Sequence, residues 1–306
     1  MTIPCRSFPL TAPALYLILT FFFVSCTNED PAITHDSAYF NAIEDNDIAL
    51  AAPQEGDWRY SHKEKIQDLK AYKKCNPVRQ GANHSTIYLM PVGDFTLLQQ
   101  TALRQVREYV EIFFQMRTVL LSAIADSAIT AVPSRGHDGH TQLLAPYLLD
   151  SLLKDKCPSD GIALMAISAK DLYPKNDWNY VFGLASYTKR IGVSSIYRLQ
   201  DGHLDTANYK NCLRRLANIS SHEIGHMFSL HHCLYASCVM NGTNGLVETD
   251  RNPLRLCSDC QKKLFWNIAY DNKRRLKQLG DFCKKNGLQR DWQILKADLD
   301  AIYQSN

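Results

Sequence analysis

Two periods of apolar spacing run along this chain, and the switches between them predict its elements. Thr86-Ile-Tyr-Leu-Met-Pro91 is an unbroken apolar run of strand length, which predicts a buried strand. After Asp94 the spacing from Phe95 to about Met116 becomes that of an amphipathic helix, and a second apolar run, Thr118 to Ile124, closes a β-α-β unit. Leu143, Leu144, Leu148, Leu149, Leu152 and Leu153 predict a helix face between Thr141 and Lys154. Pro158-Ser159-Asp160-Gly161 then turns the chain into a strand, Ile162 to Ile167. Further on, Leu213, Leu216, Ala217, Ser220, Ile224 and Met227 form the core face of a helix with Asp205 as its N-cap, while Ile219, His222 and His226 share a second stripe. Two helices with basic outer faces follow, over 262–285 and 291–303. Helices and strands alternate, so the fold class is α/β.

The first fifty residues break this pattern. Arg6 is the single charge among residues 1 to 26, and the apolar run Leu15 to Val24 is too short to span a bilayer. The run ends in Phe23-Val24-Ser25-Cys26, which resembles a bacterial lipoprotein signal with residues 1–25 removed and Cys26 lipidated; an ordinary cleaved signal or an uncleaved anchor would fit the same run. Residues 26–53 are polar and acidic, with Asp30-Pro31 and Ala52-Pro53 as breakers, and read as a flexible tether. A folded domain would occupy 54–306, with Lys65 to Tyr72 helical at its start. The expected protein is exported and held at a membrane by its lipid, in the periplasm or on the cell surface.

Composition changes little. A chain of 306 residues, 45% hydrophobic and 21% charged, has the length for one sizeable core, and a net charge of +3 gives no electrostatic case for nucleic acid or for a membrane surface. It is read as a monomer.

The chemistry is concentrated in Ser221 to Cys260. His222 and His226 lie four apart, one helical turn, so both imidazoles can reach one ion. Glu223, one helical step away, can miss the metal and still reach a water beside it, as a general base for hydrolysis must. His232, ten residues after His222, has the spacing of a third ligand; the neighbouring His231 is its rival. Cys233 and Cys238, then Cys257 and Cys260, have the spacing of a closed four-thiolate zinc site, with two disulfides as the alternative. Met240-Asn241-Gly242 supplies a tight turn entered by a methionine. Cys75, Cys157, Cys212 and Cys283 are left to pair or to stay as buried thiols. His137 and His140 fall in a Gly-containing stretch, Arg135 to His140, read as a solvated loop.

His222, Glu223, His226 and His232, with Cys233, Cys238, Met240, Cys257 and Cys260, resemble the signature of the archaemetzincins, zinc metallopeptidases of the metzincin clan. The resemblance implies a metzincin-like twisted mixed sheet, an active-site helix and a smaller C-terminal helical subdomain stabilised by zinc. It also implies two zinc ions per chain, one catalytic and one structural, and peptide or protein substrates. Asp171-Leu172-Tyr173-Pro174, Tyr180 to Ser186 and Ile191 to Tyr197 share the likeness, which makes Val181 to Ala185 or Ser194 to Tyr197 a candidate edge strand beside the cleft. Ser229 replaces the family glycine where the helix must end and the chain turn back, and the gap from Met240 to Cys257 is about one residue short of the family pattern. Two other readings fit the same residues: a zinc-binding module without turnover that acts as a membrane-tethered interaction protein, and a hydrolase of a non-peptide amide.

Overall fold

Strand β1 (Thr86–Val92) is buried along all seven residues, as a strand covered on both faces must be. In the computed structural model, which describes residues 36–81 and 83–304, it lies inside a five-stranded sheet of order β2-β1-β5-β8-β7. Strands β2 (Thr118–Leu120), β5 (Gly161–Ser168) and β8 (Ile191–Ser195) run parallel to it, and β7 (Gly183–Ala185) closes one edge antiparallel to β8. Among the described residues the outer side of β7 has no strand partner. A second sheet, β3 (Ser134–His137), β4 (His140–Leu144) and β6 (Asp171–Tyr173), packs beside the first.

Alternation splits the side chains of β1 between two cores: Ile87 and Leu89 face the main helices, whereas Tyr88, Met90 and Val92 face Leu148, Leu149 and Leu153. Helix α3 (Leu97–Phe114) opens with a capping box between Thr96 and Gln99 and packs on α4 (Tyr209–Met227), which crosses β5, β7 and β8. After a short α5 (Leu246–Arg251), helices α6 (Ser258–Ile268), α7 (Asn272–Lys285) and α8 (Gln289–Gln304) pack on the same core. The α/β expectation, with a mixed sheet, an active-site helix and a C-terminal helical part, holds.

Several local expectations do not. Part of the expected tether 26–53 is helix α1 (Ser37–Glu44), which buries Tyr39, Phe40 and Ile43 against Phe265 and α8. Its apolar face is three residues long, too short to register against the acidic flanks. Just beyond it, Asp47 pairs with the buried Arg255 and accepts from the hydroxyl and backbone N–H of Ser258. The rest of that tether before residue 36, the signal-like segment and Cys26 lie outside the described residues.

The stretch read as a helix from Thr141 and the loop before it are instead the β3–β4 hairpin, turned at Asp138 and Gly139 with positive φ; helical geometry begins at Ala145. Buried Gln142 decides this, since its amide donates to Asp171 on β6. Ile66 is exposed rather than packed, and only Leu69–Lys74 is helical there (α2). Asp205 forms the turn before α4, accepting from the N–H of Ala207 and Asn208, and Asn208 takes the N-cap position.

Candidate active site

Helix α4 carries its histidines on a turn whose far end is fixed by hydrogen bonds. The Leu230 N–H donates to Gly225 O at 3.0 Å and the Ser229 N–H to His226 O at 2.8 Å, a Schellman motif with Ser229 in the left-handed region at φ 64°. That backbone state costs a serine about 1–2 kcal/mol. It is held from outside, because Gln67 donates its amide to Ser229 O and accepts from the His231 N–H, while the Tyr72 hydroxyl donates to Phe228 O. The chain therefore turns at Ser229 without glycine and brings His232 back over the helix.

Three imidazoles converge there. The Nε2 atoms of His222 and His226 are 2.9 Å apart, and one ligand nitrogen from each of His222, His226 and His232 lies within 4.8 Å of the others. The opposite nitrogens are engaged: Nδ1 of His222 donates to Val239 O at 2.8 Å, that of His226 to Leu230 O at 2.7 Å, and that of His232 to Glu64 Oε1 at 2.8 Å. Each ring thereby presents a lone pair on Nε2, as a metal ligand does. Burial lowers His222 to about 3 and His226 well below its ordinary value, so both stay neutral. Two facing lone pairs repel, and a cation between them resolves the conflict; the donor set fits zinc. His231, the rival, turns its ring to Tyr187 and stays outside the cluster.

Glu223 is 6% exposed, beside the cluster. A Cβ placed on Gly183 of β7 would lie 2.4 Å from Glu223 Oε1, so the glycine makes room for this carboxylate. Burial pushes the Glu223 carboxyl up to about 8; a cation at the adjacent histidines acts in the opposite sense and favours the ionised form. Met240 lies under the helix: a Cβ on Gly225 would meet its Sδ at 2.6 Å, which is the packing expected of the methionine turn. The cleft in front holds about 680 Å³ and is walled by Trp58, Tyr180, Phe182, Tyr187 and Asn244, with Val181 to Ala185 along one side. Of the two candidate edge strands, Gly183–Ala185 is the one at the cleft; Ser194 belongs to the interior strand β8.

The four cysteines form a second cluster, all buried. Cys233 and Cys257 sulfurs are 3.6 Å apart and those of Cys238 and Cys260 4.0 Å, on either side of the ~3.8 Å edge of a tetrahedron with zinc–sulfur bonds of ~2.3 Å, and far from a disulfide bond. The disulfide alternative is not met. Burial and neighbouring sulfurs push the Cys238 and Cys260 thiols well up, so these two need a cation nearby to persist as thiolates. Cys75, Cys157, Cys212 and Cys283 are free thiols. His140 donates its Nε2–H to the buried carboxylate of Asp171, which also pairs with Arg198; its ring stacks on Tyr197, and it belongs to neither cluster.

Spacing arguments missed Glu64, Trp58, Gln67, Gly183 and Tyr187. Glu64 and Trp58 come from a segment far upstream of the histidines, so no local pattern links them. Gly183 could have been found by asking which strand residue must lack a side chain.

The profile of Peptidase family M54 matches residues 103–265. Archaemetzincin-2 of Homo sapiens is 29% identical over 266 residues, spanning 76% of this chain and 72% of that protein. An archaemetzincin of Thermococcus kodakarensis is 30% identical, over 60% of this chain and 96% of its own length. Among solved structures, the archaemetzincin of Methanopyrus kandleri is 26% identical, covers 62% of this chain and 98% of its own, and superposes with a TM-score of 0.48. Three histidines around one ligand position, four thiols around another and this sequence match agree: the chain belongs to Peptidase family M54, the archaemetzincins, and is a zinc metallopeptidase.

Proposed function

We propose that His222, His226 and His232 hold the zinc of peptide hydrolysis through their Nε2 atoms, that Glu223 is the general base, and that Cys233, Cys238, Cys257 and Cys260 hold a second, structural zinc. The observation that carries the reading is the convergence of three Nε2 lone pairs whose Nδ1 partners are all engaged. When bound there, zinc supplies Lewis-acid polarisation of a carbonyl and makes water acidic enough to ionise near neutral pH. Glu223 takes a proton from the attacking water and passes it to the leaving amine. The free edge of β7 accepts an extended peptide by strand pairing, which sets the scissile bond over Glu223. Met240 packs beneath the histidine helix and fixes its height.

The test compares the zinc-loaded protein with Glu223→Ala on a mixed peptide library, reading new termini by mass spectrometry. We expect cleavage by the parent, and a variant that keeps its zinc and retains under about 1% of turnover. A variant with substantial activity removes Glu223 from the mechanism; a parent that cleaves nothing favours the non-catalytic or non-peptide readings.

The N-terminal reading is also a proposal: residues 1–25 as an export signal, Cys26 as the lipidated residue, and a monomer held at a membrane. The apolar run ending at Val24-Ser25-Cys26 supports it. Cys26→Ala should move the protein from the membrane to the soluble fraction; unchanged partition would count against the lipid.

A further inference from the structure

The third histidine differs from the other two in how it is held. His222 and His226 lie on α4, with Nδ1 fixed by backbone carbonyls, whereas His232 sits in an irregular segment and depends on the side chain of Glu64. Glu64 belongs to a strap, residues 45–68, that precedes the part of the chain matched by the family profile and contributes Trp58 to the wall of the cleft. The strap is tied down at both sides. Ile48 O accepts from the Ser237 N–H, Asn244 donates to Gly56 O, the Trp58 N–H donates to Glu248, and Gln67 bridges Ser229 and His231. Trp58 then does two things at once. Its ring packs edge-on to His232 at 5.0 Å and over Gly242, where a Cβ would come within 2.5 Å of it, and its Nε1–H donates to Glu64 Oε2 at 3.1 Å. One oxygen of Glu64 is thus fixed by Trp58 while the other accepts from His232.

We propose that Glu64 is a positioning residue for the histidine site: carried by the strap and braced by Trp58, it fixes the tautomer and ring plane of His232 and so raises metal affinity at that site alone. The inference rests on the three-histidine reading above. A carboxylate behind a ligand histidine makes the ring more basic and removes its rotational freedom; losing such a partner costs on the order of 10- to 100-fold in metal affinity. The strap is therefore part of the metal site.

The test titrates metal-free full-length protein, its Glu64→Gln and Glu64→Ala variants and Trp58→Phe with cobalt(II). The thiolate charge-transfer band reports the cysteine site, and the weaker ligand-field bands report the histidine site. We expect the histidine-site dissociation constant to rise about 10- to 100-fold in Glu64→Ala, less in Glu64→Gln, which keeps an acceptor oxygen, and least in Trp58→Phe, which keeps the ring. The ligand-field bands of the loaded variants should also shift, while the cysteine site and the melting temperature of the metal-free protein stay at parent values. Unchanged histidine-site affinity in Glu64→Ala overturns the proposal. So does a loss matched at the cysteine site and in metal-free melting, which marks a general structural role. A parent that takes no cobalt at its histidines overturns the three-histidine reading and this one together; a parent that loads beside variants that load equally well overturns this one alone.

Discussion

Glu223 and Gly183 touch in the wall of the cleft, with no room for a methyl group between them. In Gly183→Ala the carboxylate is the mobile partner, so it swings aside and the backbone stays. The expected result is a turnover number lower by about 100-fold, as for an ångström-scale misplacement, with zinc content and melting temperature near parent values. Kinetics and metal analysis on the same preparation check it. Ser229 makes the opposite case. It occupies a left-handed position at φ 64°, so Ser229→Gly should stabilise the protein by about 1 kcal/mol and leave activity equal or higher, measured by denaturant unfolding and turnover. A large loss of activity would mean that the serine hydroxyl has a role beyond the turn. From the sequence alone Ser229 reads as a departure from the family; the bracing by Gln67 and Tyr72 that makes it workable is long-range and invisible there.

At the scale of elements, the segment from Phe228 to Cys260 ties the histidine site to the four-cysteine cluster. The Cys233 N–H donates to Met240 O at 2.7 Å and the Met240 N–H donates to the Cys238 sulfur, so the methionine turn is shaped by the cysteines. Cys257→Ser should therefore remove the zinc proposed for the cysteine cluster and lower the melting temperature by roughly 10 °C, a few kcal/mol in a domain of this size. Calorimetry and metal analysis read both; unchanged metal content would remove the structural ion. The elements themselves were legible where a periodic run was long, as in β1, α3, β5 and α4, and where ligand spacing was dense. They were not legible in the β3–β4 hairpin, because its leucines continue into a helical turn and one apolar run covers two structures. Helix α1 escaped for a related reason: eight residues with one apolar face become a helix only against Phe265 and Gln261.

Across the whole molecule, burial of the uncharged site gives metal-free protein a defined dependence on pH. His222 is lowered to about 3 and His226 well below its ordinary value, so as pH falls below 6.5 the unfolded chain takes up two protons that the folded site resists, and stability falls on acidification. Glu223, raised to about 8, has the opposite sign: between its unfolded value of ~4.5 and 8 the folded state holds the extra proton, and stability falls as pH rises. These three groups together predict a maximum near pH 6.5 in the metal-free protein. Glu223→Gln should abolish the decline above it, as read by melting temperature against pH. Long-range joins are what the sequence hides at this scale. Glu64 to His232, Asp47 to Arg255 and Gly183 to Glu223 each link residues that no local period relates, whereas the ligands themselves fall within one stretch.

The account turns on one ion at the three histidines. Crystals of the zinc-loaded protein, recorded on both sides of the zinc absorption edge, test this most directly. The account predicts two anomalous peaks, one within the four sulfurs and one bonded to Nε2 of His222, His226 and His232 with a free position toward the cleft and Glu223. A single peak at the cysteines, or a histidine-site peak bonded to His231 in place of His232, would contradict it.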